Sequence, residues 1–166
     1  MKPASLCAFL FGFAFFFLSE SLFAADVSVR VFNSTAIDVP NNADLKLTFD
    51  RERFDTSNFH DAANPGLLVA PVTGKYVIYC SAYFPPNGTG ARALKIVRNG
   101  SQELAIDVRD AGKNPSGYTY LNAFTHFRLV AGDSIEFRAG QDSGTTLQVG
   151  GPPNNRGPEC GMFKSG

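Results

Sequence analysis

A chain of 166 residues is long enough for one domain with a sizeable core and leaves no room for a second. Fifteen Lys and Arg balance fifteen Asp and Glu, which removes the electrostatic footprint of a nucleic-acid binder or of a protein drawn to an anionic membrane. Sixteen Phe and no Trp would be an odd core, but seven of those Phe lie before residue 24, and the remainder of the chain reads as a Gly- and Asn-rich β protein.

Residues 1–25 have the form of a secretory signal peptide: Lys2 in a short basic start, an apolar run from Leu6 to Leu18, then small and polar residues to Ala25. The apolar run is short against the roughly 20 residues of a spanning helix. The reading is therefore a cleaved leader ending at Ala24 or Ala25, and a mature domain, residues 26–166, that is secreted and has no membrane attachment. Cys7 leaves with the leader. Cys80 and Cys160 remain, in a compartment that permits disulfides. Two cysteines are not a disulfide framework, and they read either as buried thiols used as small apolar residues or as a bridge between the strand at Cys80 and the last strand.

Val27 to Phe32 alternates strictly enough for a first strand, and Leu45 to Phe49 for a second after the turn at Pro40-Asn41-Asn42. Asp50 to Gly66 is polar and reads as a long ordered loop pinned by Phe54 and Phe59. A short apolar run from Leu67 and a Pro and Gly break lead into Lys75 to Phe84, a run of Tyr, Val and Ile that predicts a strand of about ten residues. Parity places Tyr76, Ile78, Cys80 and Ala82 on one face and Val77, Tyr79, Ser81 and Tyr83 on the other. Neither face is polar, so one should meet the core and the other a second layer or another chain.

Hairpin signals then come in close succession. Asn87-Gly88 and Gly90 lead into Arg92 to Arg98, Asn99-Gly100 into Leu104 to Arg109, and Asn114 to Gly117 into a long strand, Tyr118 to Leu129. Ala131-Gly132-Asp133 turns into Ser134 to Ala139, and Leu147 to Val149 and Cys160 to Lys164 close the series. Nine or ten short strands with no convincing helix predict an all-β antiparallel sandwich or barrel.

The order of motifs resembles a known family. L-V-A-P-V-T-G-K-Y-V-I from Leu68 to Ile78, A-R-A-L-K-I-V-R-N-G from Ala91 to Gly100, L-V-A-G-D-S-I-E-F from Leu129 to Phe137 and E-C-G-M-F from Glu159 to Phe163 are similar to the globular head of complement C1q and its tumour-necrosis-factor-like relatives. The pattern F-D-x-x-x-F-D-T at Phe49 to Thr56 resembles the microbial and phage-borne members. The resemblance implies a ten-stranded jelly roll of two antiparallel sheets, assembled as a non-covalent homotrimer and used as a recognition head. No collagen-like stalk is present, and Cys160 stands where relatives often carry an aromatic residue.

The residues support a trimer independently. Leu121, Ala123, Thr125, Phe127 and Leu129 share a face that should be inward, which turns Tyr118, Tyr120, Asn122, Phe124 and His126 outward. If the long strand, the strand at Tyr79 and the last strand share a sheet, as the resemblance implies, then Tyr79, Tyr83, Tyr120, Phe124, His126 and Phe163 form the expected trimer interface.

Catalytic signals are scarce. His60 and His126 are the only histidines, and no H-E-x-x-H, paired C-x-x-C, phosphate loop or G-x-S-x-G elbow occurs. Gly132-Asp133-Ser134 is similar to an esterase nucleophile motif but sits in a turn that needs Gly and Asp anyway. No cofactor is expected. Calcium is the one ion worth weighing, through Asp50 with Asp55 or Asp107 with Asp110, and solvated loop acids account for the same residues. Three tripeptides, at Asn33, Asn87 and Asn99, fit the N-glycosylation pattern.

The expectation is a secreted, non-enzymatic homotrimeric head that binds an extracellular protein or glycan through Asp50 to Gly66, Pro85 to Gly90, Ala111 to Gly117 or Gly140 to Thr146. A trimerising tip module without its own ligand is the structural alternative. A carbohydrate-active sandwich is the enzymatic one.

Overall fold

The computed structural model describes residues 26–111, 117–150 and 157–166; the leader and the Asn114-Pro115-Ser116 turn lie outside the described residues. Within them the chain forms twelve strands and no helix: β1 (Ser28–Phe32), β2 (Ile37–Val39), β3 (Ala43–Lys46), β4 (Arg51–Asp55), β5 (Leu68–Val69), β6 (Gly74–Phe84), β7 (Ala91–Arg98), β8 (Gln102–Asp110), β9 (Thr119–Leu129), β10 (Ser134–Gln141), β11 (Leu147–Val149) and β12 (Glu159–Lys164). Ten of these make two antiparallel sheets. One runs β4-β1-β12-β6-β9 and the other β3-β10-β7-β8, with β5 also on β10; β2 and β11 form a separate ribbon. The architecture is the predicted jelly-roll sandwich, with the ribbon as two further strands.

The core lies between the inner faces. Tyr76, Ile78, Cys80, Ala82 and Phe84 of β6 alternate inward, as do Leu121, Ala123 and Leu129 of β9, and they join Leu94, Ile96 and Phe137 of the opposite sheet in one buried cluster. Edge-to-face rings lock the layers, Phe49 on Phe137 at 6.0 Å and Phe59 on Tyr76 at 6.1 Å. The β7–β8 turn uses Asn99 and Gly100 at φ 50° and 72°, the left-handed pair that a two-residue hairpin demands.

Three expectations are corrected and one strand is added. The strand expected at Leu45–Phe49 is β3, Ala43–Lys46: the Leu47 amide bonds Phe137 O at 2.8 Å and the Phe49 amide bonds Pro65 O at 2.9 Å, so Leu47 and Phe49 line the core with Thr48 exposed between them, while the backbone serves two different partners and leaves the ladder. Asp50 to Gly66 is not all loop, because β4 pairs with β1 along the sheet edge. Its R-E-R-F-D sequence hides the strand, since nearly every side chain faces water and only the backbone pairs. Phe54 is accordingly exposed and pins nothing; Phe59 alone is buried. The ribbon strand Ile37–Val39 was not expected, being three residues that pair only with the distant β11.

Gly161 of β12 faces Arg30 on β1 and Tyr79 on β6. A Cβ there would lie 2.5 Å from Val29 O and 2.6 Å from Tyr79 Oη, so the Tyr79 ring lies over the bare glycine. Gly161→Ala should destabilise the fold by about 1–3 kcal/mol through overpacking, read from the urea midpoint; an unchanged midpoint would mean that the ring and strand shift freely.

Candidate functional site

The outer faces of the two sheets differ in chemistry. On the β3-β10-β7-β8 sheet, charges neutralise one another. Lys95 lies 3.5 Å from Asp44 and 3.8 Å from Glu103, Arg138 lies 3.3 Å from Asp44 and 2.9 Å from Glu136, and Lys46 lies 3.5 Å from Glu136. Ile106 and Val108 on the edge strand β8 and Val69 on β5 are exposed apolar residues there.

The outer face of the other sheet is aromatic. Strand register sets Tyr79 opposite Phe124, Tyr83 opposite Tyr120, and Val77 between His126 and Phe163. All six sequence-derived residues thus share one face. They are not equally open: Phe124 is 64% exposed and Tyr120 57%, while Tyr83 is buried at 8%. Tyr83 packs edge-on to Tyr118 at 5.5 Å and tilted on Tyr120 at 5.9 Å. Phe163 and Tyr118 are exposed, and Tyr118 belongs with the six by the same parity. Tyr79 is half-buried, and burial raises its phenol pKa. A recess of about 240 Å³ opens between Tyr83, Tyr120, Ser81, Asn122 and Glu159, and Ser81 Oγ donates to Asn122 Oδ1 at 2.8 Å. Glu159 is held by Arg30 at 2.7 Å and by Arg53 at 3.1 Å, with Arg53 stacked on Phe32 at 4.1 Å. His126 Nε2 sits 2.8 Å from Ser165 Oγ.

Cys80 and Cys160 stand opposite one another in the β6–β12 ladder, Cα atoms 4.0 Å apart and sulfurs joined, on the inner face.

The predicted ligand loops separate into two groups. Pro85 to Gly90, residue 111 and residues 142–146 gather at one end of the sandwich with the Asn41-Asn42 turn. Their links are Ala111 N to Gly90 O at 2.8 Å, Asp142 N to Ala91 O at 3.3 Å and Gly144 N to Asn41 Oδ1 at 2.7 Å. Residues 112–116 lie outside the described residues. The segment after Asp55 lies toward the opposite end. Arg92 underlies the first group and is fully buried. Its guanidinium donates to Thr89 O and Ala91 O at 2.9 Å and to Asn87 O at 3.1 Å. Sequence reasoning missed it, although parity with Leu94 and Ile96 would have put Arg92 on the inner face. Gln141 works alongside, its amide donating to Val39 O at 3.0 Å and Thr145 O at 2.7 Å.

Asp133 is a turn residue. Its carboxylate accepts from Arg98 Nη2 and Asn99 Nδ2 at 2.9 Å and from the Val130 amide at 2.7 Å. Burial pushes its pKa up, but these donors and the Arg98 charge outweigh burial and hold it at about 2, against 3.8 for a free carboxyl. A lowered folded pKa gives stability that is complete above the unfolded value and disappears as pH falls from about 4 through 2. Asp133→Asn should therefore flatten the acid limb by about 2 kcal/mol between those pH values, measured by denaturant unfolding at each pH; an unaltered limb would reject the assignment.

The calcium pairs are not assembled. Asp50 and Asp55 flank opposite ends of β4, roughly 16 Å apart at strand rise. Asp50 accepts from Ser34 N and Oγ, and Asp55 from Ser57 N and His60 N. Asp107 and Asp110, three apart on β8, point to opposite faces. His60 Nδ1 meets Glu52 at 2.9 Å, and no third His, Cys, Asp or Glu completes a metal cluster among the described residues. Of the three glycosylation tripeptides, Asn33 and Asn99 spend their amide nitrogens on Thr48 O and Asp133, whereas Asn87 uses only its amide oxygen, on the Thr89 amide.

No protein-family model matches the sequence, and no curated protein does. Solved structures match at the level of fold. The crystal structure of murine APRIL at pH 5.0 covers 84% of this chain and 99% of its own length at 14% identity, with a TM-score of 0.63. The structure of Eiger TNF from S. frugiperda covers 86% and 94% at 14% identity and a TM-score of 0.61. The globular domain of zebrafish complement 1qA protein covers 84% and 96% at 12% identity and a TM-score of 0.56. The chain has the C1q/TNF-like jelly-roll fold.

Proposed function

We propose that the mature chain, residues 26–166, is a secreted, non-enzymatic recognition head that works as a homotrimer. It packs the aromatic outer face of the β12-β6-β9 sheet against neighbouring copies and binds an extracellular protein or glycan through the loop end built on Arg92. The observation that carries this reading is the contrast between the two outer faces. One is a network of mutually paired charges suited to water, and the other exposes Tyr118, Tyr120, Phe124 and Phe163 together. An aromatic patch of that size, crossed by the single polar Ser81–Asn122 rung, marks an interaction surface, and aromatic rings are what interface centres favour. The Arg30, Arg53 and Glu159 group beside it supplies a polar rim.

Sedimentation equilibrium of the mature chain tests the assembly: three copies per particle at micromolar concentration are expected, and a single copy there would reject it. Loop recognition is tested on arrays of extracellular glycans and proteins, where substitutions in 85–90 and 142–146 should abolish any signal without changing the assembly.

The proposal includes an oxidised Cys80–Cys160 bridge, which fits a secreted chain and closes a span of 80 residues. The unreduced mature protein should weigh two hydrogens less than the reduced form, and replacing both cysteines by Ala should cost about 2–4 kcal/mol. Two free thiols in native material would eliminate the bridge.

A further inference from the structure

Nine of the twelve Lys and Arg among the described residues have a partner: a carboxylate within 4 Å, or, for Arg92 and Lys164, backbone carbonyls. Arg51, Lys75 and Arg128 have none. Arg51, on the edge strand, lies within reach of the Asp50 charge, but Lys75 and Arg128 are a direct pair, opposite one another in the β6–β9 ladder. Both are exposed and, by strand parity, both project on the aromatic outer face, one step beyond Val77 and His126. Like charges in directly opposed positions of a ladder destabilise it. Among the described cations these are the two left facing one another without a carboxylate between them.

Polar groups adjoin the pair. Ser165 continues β12 alongside Lys75, its amide donating to Lys75 O at 2.8 Å, and its hydroxyl meets His126 Nε2 at 2.8 Å. We infer that Lys75 and Arg128, with His126 and Ser165 beside them, form an oxyanion-binding site at the end of the aromatic face. It would take a doubly charged phosphate or sulfate group, either free or as a sulfate ester on a glycan. Arg offers a planar fork to such a group and Lys a point charge. The site is built within one chain. If the aromatic face assembles as proposed, the pair lies at the rim of that assembly, and that part alone rests on the trimer reading.

Calorimetry with inorganic sulfate, with inorganic phosphate and with a sulfated heparin-derived oligosaccharide, at constant low ionic strength, tests the site, and sedimentation of the same samples reports assembly separately. The wild-type chain should bind, and Lys75→Ser and Arg128→Ser should each weaken binding about tenfold. Lys75→Glu, which sets opposite charges face to face, should abolish binding and raise the thermal midpoint in anion-free buffer. Binding of the inorganic ions identifies a free-anion site; binding of the oligosaccharide alone identifies a glycan-borne sulfate. No binding by the wild type, or equal binding by the wild type and Lys75→Glu, would overturn the site. A single-copy protein that binds keeps the site and removes the trimer, and a trimer that ignores all three probes does the reverse.

Discussion

Phe124→Asp should yield a monomer that is still folded. Phe124 is 64% exposed on a single chain, so an exposed carboxylate there changes the stability of one copy by no more than about 0.5 kcal/mol. In an assembled interface the same change removes an aromatic anchor that contributes ~2 kcal/mol or more and buries a charge in its place. The variant should sediment as one copy while its circular dichroism and urea midpoint stay close to those of a monomeric reference at the same dilution. Tyr79→Asp is the poorer probe, because Tyr79 lies over Gly161 and its loss disturbs the sheet itself. A trimer of undiminished affinity from Phe124→Asp would place the interface elsewhere, and the exposed Ile106 and Val108 on β8 would be the next surface to alter.

Arg92→Met should loosen the loop end and lower stability by about 3 kcal/mol. Arg92 is the largest fully buried side chain, and its guanidinium satisfies the carbonyls of Asn87, Thr89 and Ala91 while lying 5.8 Å from the Phe84 ring. Burial lowers its pKa and Asp142 opposes the shift, but a guanidinium remains charged throughout the working range. Methionine refills much of the volume and leaves those carbonyls without a donor, at about 1–3 kcal/mol for each that water cannot reach. Arg92→Lys should recover only part, since an ammonium cannot reproduce the planar fork. Hydrogen exchange at the Ala111 amide, which bonds Gly90 O, should accelerate in step. Unchanged stability and unchanged exchange would show that the loop holds itself without the guanidinium.

These two residues also mark the two halves of the proposed activity. Phe124 belongs to the surface that would meet another copy, whereas Arg92 supports the loops that would meet a ligand. Because β6 runs the length of the sandwich from Gly74 to Phe84 and is followed directly by the Pro85 to Gly90 loop, one strand carries both Tyr79 and Tyr83 and the entry to the loop end. Sedimentation of Arg92→Met beside its hydrogen exchange therefore shows whether loosening the loop end also separates the copies.

Much of the fold was legible in the residues. Period-two alternation in Lys75 to Phe84 and Tyr118 to Leu129 assigns each side chain to a face, because backbone geometry fixes that alternation whatever lies around it. Asn99-Gly100 and Ala131-Gly132-Asp133 place turns for an equally local reason, the need for positive φ or for a carboxylate that caps the turn. Other features had no local signature. β4 is charged along its length and is a strand only because β1 offers it a backbone edge. Leu47 to Phe49 alternates like a strand, yet its amides are claimed by Phe137 and Pro65. Tertiary packing also decided which aromatic rings stay open: Tyr83 is covered by Tyr118 and Tyr120, and Tyr79 rests on a distant glycine, Gly161, that only the β12 register brings beneath it. The residues thus determined which side chains share a face, since that depends on one strand at a time. The three-dimensional fold alone decided which of them meet water and which charges lack a partner, because both depend on what distant segments place beside them.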